Sequence, residues 1–137
     1  MVGIIEQFRV GALGRSSNPW QFEIVAGMVE KNEILENVAI REVQEETGLT
    51  LSDIQPILSY LPSAGASNER MHLFCGSARL LDKGGIYGLA SENEDIKLHI
   101  FPFADALVGL TDGLFDSAAS IIALQWLEKN RHQMKSA

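Results

Sequence analysis

Residues 27–49, GMVEKNEILENVAIREVQEETGL, decide how the chain is read. Ile34, Leu35, Val38, Ala39 and Val43 recur at the three-and-four spacing of a helical apolar stripe. Gly48 stops that helix as a left-handed C-cap glycine would. With successive residues about 100° apart around the axis, Glu42, Glu45 and Glu46 fall on the side that carries Leu35, Val38 and Ala39. The inward stripe is therefore apolar first and acidic next, whereas a solvated charge run lies opposite the apolar face. Carboxylates at a helix C-terminus oppose the macrodipole, at about 0.3–1 kcal/mol each. Neighbouring carboxylates also repel unless one is protonated or a cation intervenes. A divalent metal is the simplest counter-charge, and Mg²⁺ or Mn²⁺ suits an all-oxygen carboxylate site. The alternative is a surface acidic helix with Arg41 as its internal partner.

At 137 residues the chain is expected to form a single domain, residues 1–137, with a core of its own. The net charge of −7 argues against a nucleic-acid or acidic-membrane surface, and no such partner is expected. A single cysteine, Cys75, excludes an internal disulfide framework and fits a reducing compartment. Set in an apolar strand, it reads as a packed thiol rather than a nucleophile. No apolar run approaches the ~20 residues of a membrane span, and the first residues lack the pattern of a signal peptide. The cytoplasm is the expected compartment.

Around the central stretch, residues 3–12 read as a strand with Arg9 near its end. That arginine serves either an edge salt bridge or, through its planar fork, a phosphate. Residues 14–20 hold turn chemistry around Asn18-Pro19, and residues 21–26 form a second strand. Gly27 opens a loop where a missing side chain allows close approach. Glu33 and Arg41 read as a pair tying that loop to the helix. A strand at residues 55–61 follows, with Pro56 at its entry or edge. Residues 62–69 are a small-residue loop, and residues 71–81 a longer strand in which His72 is structural. Residues 83–95, rich in glycine and then in acid, read as a loop. It is either a solvated turn or, beside a metal-binding helix, the mobile carrier of a general base. Residues 96–101 alternate, with Ile96, Leu98 and Ile100 inward and Lys97 and His99 on a wet face. Two helices close the chain, at residues 103–110 and, capped by Asp116 or Ser117, running to about residue 133.

The 27–49 stretch resembles the Nudix box, G-x5-E-x7-R-E-U-x-E-E-x-G-U, where U is a bulky aliphatic residue. Gly27, Glu33, Arg41, Glu42, Val43, Glu45, Glu46, Gly48 and Leu49 fill every fixed position. The resemblance implies an α/β fold, the Nudix α/β/α sandwich with a mixed β-sheet. It also implies a metal-dependent hydrolase of nucleoside diphosphate derivatives. EQFRVGA, VAGMVE, GIYGLASENEDI and SAASIIALQWL further resemble bacterial ADP-ribose pyrophosphatases. That likeness implies metal ligands at Glu42, Glu46 and Glu94 and at the backbone carbonyl of Ala26. It implies Glu92 as general base, Arg9 on phosphate and Glu69 on the terminal ribose; Glu45, on the same helix side, is read beside these as a further catalytic carboxylate that helps hold the metal. Mg²⁺ or Mn²⁺ is the implied cofactor, ADP-ribose the substrate, and AMP and ribose 5-phosphate the products.

Two departures from the family's pattern stand out. The loop after the box has Ala64 where these enzymes usually carry proline, with Pro62 two residues earlier. The family also has a strand-rich N-terminal segment that helps bind adenine and exchanges across a dimer, whereas this sequence opens within the part matching the catalytic domain. A homodimer is the expected assembly. Other expectations kept open are a different nucleotide sugar or nucleotide as substrate, and a non-catalytic nucleotide-binding module.

Overall fold

In the computed structural model of the protein, residues 1–16, 18–79, 85–88 and 95–134 are described. The first strand, β1 (Val2–Phe8), is followed by a single 3-10 turn (Val10–Ala12) and by β2 (Trp20–Glu23). Helix α1 (Leu35–Thr47) leads to the long hairpin of β3 (Leu51–Tyr60) and β4 (Met71–Ala78). Short β5 (Gly85–Tyr87), β6 (Ile96–Phe101), α2 (Phe103–Thr111), α3 (Ala118–Asn130) and a last 3-10 turn (Arg131–Gln133) complete the order.

Four strands form one sheet in the order β2-β1-β6-β5, and β3 and β4 form a second. Every pairing among the described residues is antiparallel. The mixed sheet expected from the sequence is thus realised, within those residues, as two antiparallel sheets of an α/β fold. Pro56 sits where the β3–β4 register shifts, which is where a residue without an N–H does least harm to the ladder.

The sandwich can be read from two adjacent side chains. Ile4 and Ile5 point to opposite faces of β1, yet both are wholly buried, so the sheet is covered on both sides. On the Ile4 face, Ala106 of α2, Leu124 of α3 and Phe115 close one core, with Phe22, Phe101 and Ile121 against it. Ile5 stands opposite Leu98, which shares its face with Ile96. Helix α1 packs against β5 and β6 on that second side and inserts the buried Val38.

The fold corrects three expectations. His99 does not face water: it is half-buried between Phe22 and Phe101, with Nε2 2.7 Å from Glu6 Oε2. Residues 85–87, read from sequence as part of a glycine-rich loop, pair with β6 as a strand. The first strand also ends at Phe8, so Arg9 follows it rather than lying within it. Among the described residues no helix is long and apolar enough to cross a membrane.

Candidate active site

Helix α1 begins after Ile34, which is its exposed N-cap rather than a member of the inward stripe. It ends at Gly48, whose φ of 68° is left-handed and whose N–H donates to the Gln44 carbonyl at 2.9 Å. The ring of Tyr87 lies against this cap: a Cβ on Gly48 would meet its Cε1 at 3.0 Å. In the two turns before the cap, the acidic side chains turn inward as their spacing predicts. Glu46 is 3% exposed, and the side chains of Glu42 and Glu45 are 14% and 31% exposed. A carboxylate taken out of water is strongly disfavoured unless charge or hydrogen bonds compensate it.

Arg41 supplies part of that compensation. Its Nη1 lies 2.8 Å from Glu42 Oε1 and 3.1 Å from Glu45 Oε2, and its Nη2 lies 3.6 Å from Glu33 Oε1. Burial pushes the guanidinium down, but Glu42, Glu45 and Glu33 outweigh it and hold Arg41 above its ordinary value. The expected Glu33–Arg41 tie between loop and helix is present. Glu33 also accepts from the Glu30 N–H at 2.7 Å, closing the turn in which Asn32 takes a φ of 72°. With the Arg41 side chain 40% exposed, each pair contributes about 0.2–1 kcal/mol to stability. Their effect is to orient the carboxylates.

Gly27 carries the most informative contact. An added Cβ would lie 1.9 Å from Glu42 Cδ and 2.0 Å from its Oε1. The carboxyl group of Glu42 therefore occupies the space a side chain at residue 27 would need. It rests against the backbone that follows Ala26, so two of the implied oxygen donors, Glu42 and the Ala26 carbonyl, belong to adjoining pieces of chain. The donors are all hard oxygens, as a divalent cation such as Mg²⁺ requires. Among the described residues no group of three or more His, Cys, Asp or Glu is arranged to hold a metal. Glu92 and Glu94 lie outside the described residues.

Arg9 is reached from the other strand. Its extended backbone continues the alternation of β1, so it shares the α1 side of the sheet with Ile5 and Gln7. Its Nε and Nη2 donate to Glu23 Oε2 at 2.9 and 2.7 Å. The edge salt bridge foreseen as one of its two roles is thus formed. It borders an open depression of about 530 Å³ with Arg15, Gln21 and Glu23 on one side and Asp116 and Ser117 on the other. Residues of α1 do not line that depression. Glu69 is exposed, on a turn where its N–H donates to Ser67 Oγ at 3.4 Å. Burial, and then the Glu69 carboxylate, raise the Tyr60 hydroxyl above its ordinary value.

Two participants escaped the sequence. Glu23 had no visible role, because its partner depends on the β1–β2 register. Ser120, wholly buried in α3, accepts from the Ile24 N–H at 3.1 Å and lies 2.7 Å from Ser117 Oγ. It fastens the exit of β2, just ahead of Ala26 and Gly27, to the start of α3. The adjoining serines of the helix cap are the only sequence signal for it, and Ser117 is indeed the cap, accepting from the Ser120 N–H.

Known proteins place this geometry in context. The chain is 43% identical over 135 residues to an ADP-ribose pyrophosphatase of Escherichia coli (strain K12), covering 98% of this chain and 65% of that protein. It is 40% identical over 137 residues to an ADP-ribose pyrophosphatase of Haemophilus influenzae, covering 98% of this chain and 63% of that protein. A GDP-mannose pyrophosphatase of Cronobacter sakazakii is 31% identical over 134 residues. The chain thus spans a little under two thirds of the length of these first relatives. Residues 4–125 match the NUDIX domain, which contains the whole of the 27–49 stretch, and the chain belongs to the NUDIX domain family.

Proposed function

We propose that the chain is a Nudix pyrophosphohydrolase that uses Mg²⁺ or Mn²⁺ to cut the diphosphate of ADP-ribose, giving AMP and ribose 5-phosphate. The observation that carries the proposal is the pair Glu42 and Glu46, one helical turn apart, both turned in from solvent, with Glu42 seated against Gly27. A surface acidic helix would leave these two carboxylates in water. The relatives named ADP-ribose pyrophosphatase support the choice of substrate. The cytoplasm and a homodimer belong to the same proposal.

Glu42, Glu46, the Ala26 carbonyl and Glu94 would hold the metal. A divalent ion held there would supply positive charge against the diphosphate. Arg41 keeps Glu42 and Glu45 oriented through its two short contacts. Arg9 binds a phosphate oxygen through the donors that Glu23 leaves available, and Glu69 accepts from a hydroxyl of the terminal ribose. Glu92 takes a proton from the attacking water as its oxygen bonds to phosphorus and the bond to the bridging oxygen breaks.

A second reading, another nucleotide sugar as substrate, is favoured by Ala64, where ADP-ribose pyrophosphatases usually carry proline. The GDP-mannose pyrophosphatase relative names one candidate. Purified protein with Mg²⁺ and equal concentrations of ADP-ribose and GDP-mannose tests both. Faster release of AMP and ribose 5-phosphate supports the first reading, faster release of GMP the second, and no release of either excludes ADP-ribose and GDP-mannose as substrates.

A further inference from the structure

The chemistry at Arg9 extends to a residue that no motif marks. Glu23 is paired with Ile5 across the β1–β2 ladder, so its side chain stands on the α1 side of the sheet beside Gln7 and Arg9. One carboxylate oxygen, Oε2, accepts from Arg9 Nε at 2.9 Å, from Arg9 Nη2 at 2.7 Å and from Gln7 Nε2 at 3.3 Å. The Glu23 side chain is 13% exposed and that of Arg9 44% exposed. The acceptor is therefore nearly enclosed while the guanidinium keeps one side open.

A guanidinium has five N–H donors in a fixed plane. Here one edge, Nε and Nη2, is used on Glu23, and among the described residues Nη1 makes no hydrogen bond. Fixing that edge sets the plane of the ring and the direction of the remaining donors. The pair is held at both ends. The Arg9 N–H donates to the Pro19 carbonyl at 2.9 Å, and the ladder continues through Phe8 and Trp20, whose rings meet edge to face. A partly exposed ion pair adds little stability, so so much local order around one oxygen is better explained by orientation.

We infer that Glu23 is a positioning residue: it holds the guanidinium of Arg9 by one edge, so that the other edge meets a phosphate oxygen of a nucleoside diphosphate. The inference rests on the proposed hydrolase function and adds to it a residue that acts through Arg9 rather than on substrate. Glu23 and Arg9 then form one unit, and the effects of changing them do not add.

A double-mutant cycle tests this. Wild type, Glu23→Ala, Arg9→Ala and the double variant are compared in kcat/KM for ADP-ribose with Mg²⁺. They are compared again in Kd for ADP-ribose by calorimetry without metal, with thermal midpoints as a check on folding. Glu23→Ala is expected to lower kcat/KM about tenfold in the wild-type background and by less than twofold in the Arg9→Ala background. Glu23→Gln, which keeps a carbonyl acceptor and the fold, is expected to fall between wild type and Glu23→Ala. Equal losses in both backgrounds, or no loss in either, would overturn the inference. A wild type that binds ADP-ribose without hydrolysing it would overturn the hydrolase reading, and coupling in Kd would then judge Glu23 by itself. A wild type that neither binds nor hydrolyses ADP-ribose overturns both.

Discussion

Replacing Gly27 by alanine separates the site from the fold. The new Cβ would stand 1.9 Å from Glu42 Cδ, 2.0 Å from Oε1 and 2.3 Å from Cγ. Real Cβ atoms essentially never approach within 3.0 Å of another heavy atom, so the carboxyl group must retreat by about 1 Å or more. The obstructing atoms belong to the far end of a flexible side chain, and Gly27 is not among the residues of positive φ. Backbone strain is therefore absent, and a smaller unfolded-state entropy offsets part of any lost contact, with a net effect within about 1 kcal/mol. Catalysis has no such latitude. A displacement near 1 Å costs on the order of 10²-fold in rate, or roughly 2.7 kcal/mol of transition-state free energy. The assay is kcat/KM for ADP-ribose with Mg²⁺, beside the thermal midpoint of the same preparation. A fall of about 10²-fold with little change in midpoint is expected. Wild-type kcat/KM in Gly27→Ala would refute the claim that Glu42 acts from where it rests.

Three further outcomes are expected. Glu46→Gln keeps the shape of a side chain that is 3% exposed; it should lose at least 10²-fold in turnover while its far-ultraviolet circular dichroism stays that of wild type. Gly48→Ala forces a residue with a side chain into a left-handed cap and against Tyr87, at about 1–2 kcal/mol. That is a fall of roughly 3–8 °C in thermal midpoint by differential scanning fluorimetry, and an unchanged midpoint would show that the cap carries no strain. Cys75, raised above its ordinary value by burial despite the opposing Gly76 N–H, should react with a thiol reagent at pH 8 more slowly than free cysteine. The folded state favours the neutral thiol, so its contribution to stability is complete below the unfolded-state pKa. It declines as pH rises through the folded value. A rate matching free cysteine would contradict the burial.

Helix α1 and its cap are legible because a helix is largely local: the stripe and Gly48 lie within one stretch, and the observed Leu35–Thr47 span follows them. The inward turn of Glu42 and Glu46 is legible for the same reason, since spacing alone determines which side of a helix a residue takes. Strand β6 and helix α2 likewise follow their periodicity. What escaped depends on partners distant in sequence. Gly85–Tyr87 is too short and too glycine-rich to show a period of two, and it is a strand because β6 offers it an edge. His99 alternates correctly with Leu98, but alternation alone does not say that α2 and α3 cover the face it shares with Ile4. Whether Arg9 meets Glu23 is a matter of register across the hairpin, which a single strand's sequence does not state. Gly27 is visible as a position where backbone comes close to something; that the something is the Glu42 carboxyl needs the folded chain.

The most direct test of the account is to incubate the purified protein with ADP-ribose and Mg²⁺, with and without excess chelator, and to quantify AMP and ribose 5-phosphate by chromatography. Equimolar release of the two products, abolished by chelator and restored by added Mg²⁺ or Mn²⁺, is the predicted result. Release that continues undiminished in chelator, or no release with either metal, would contradict it.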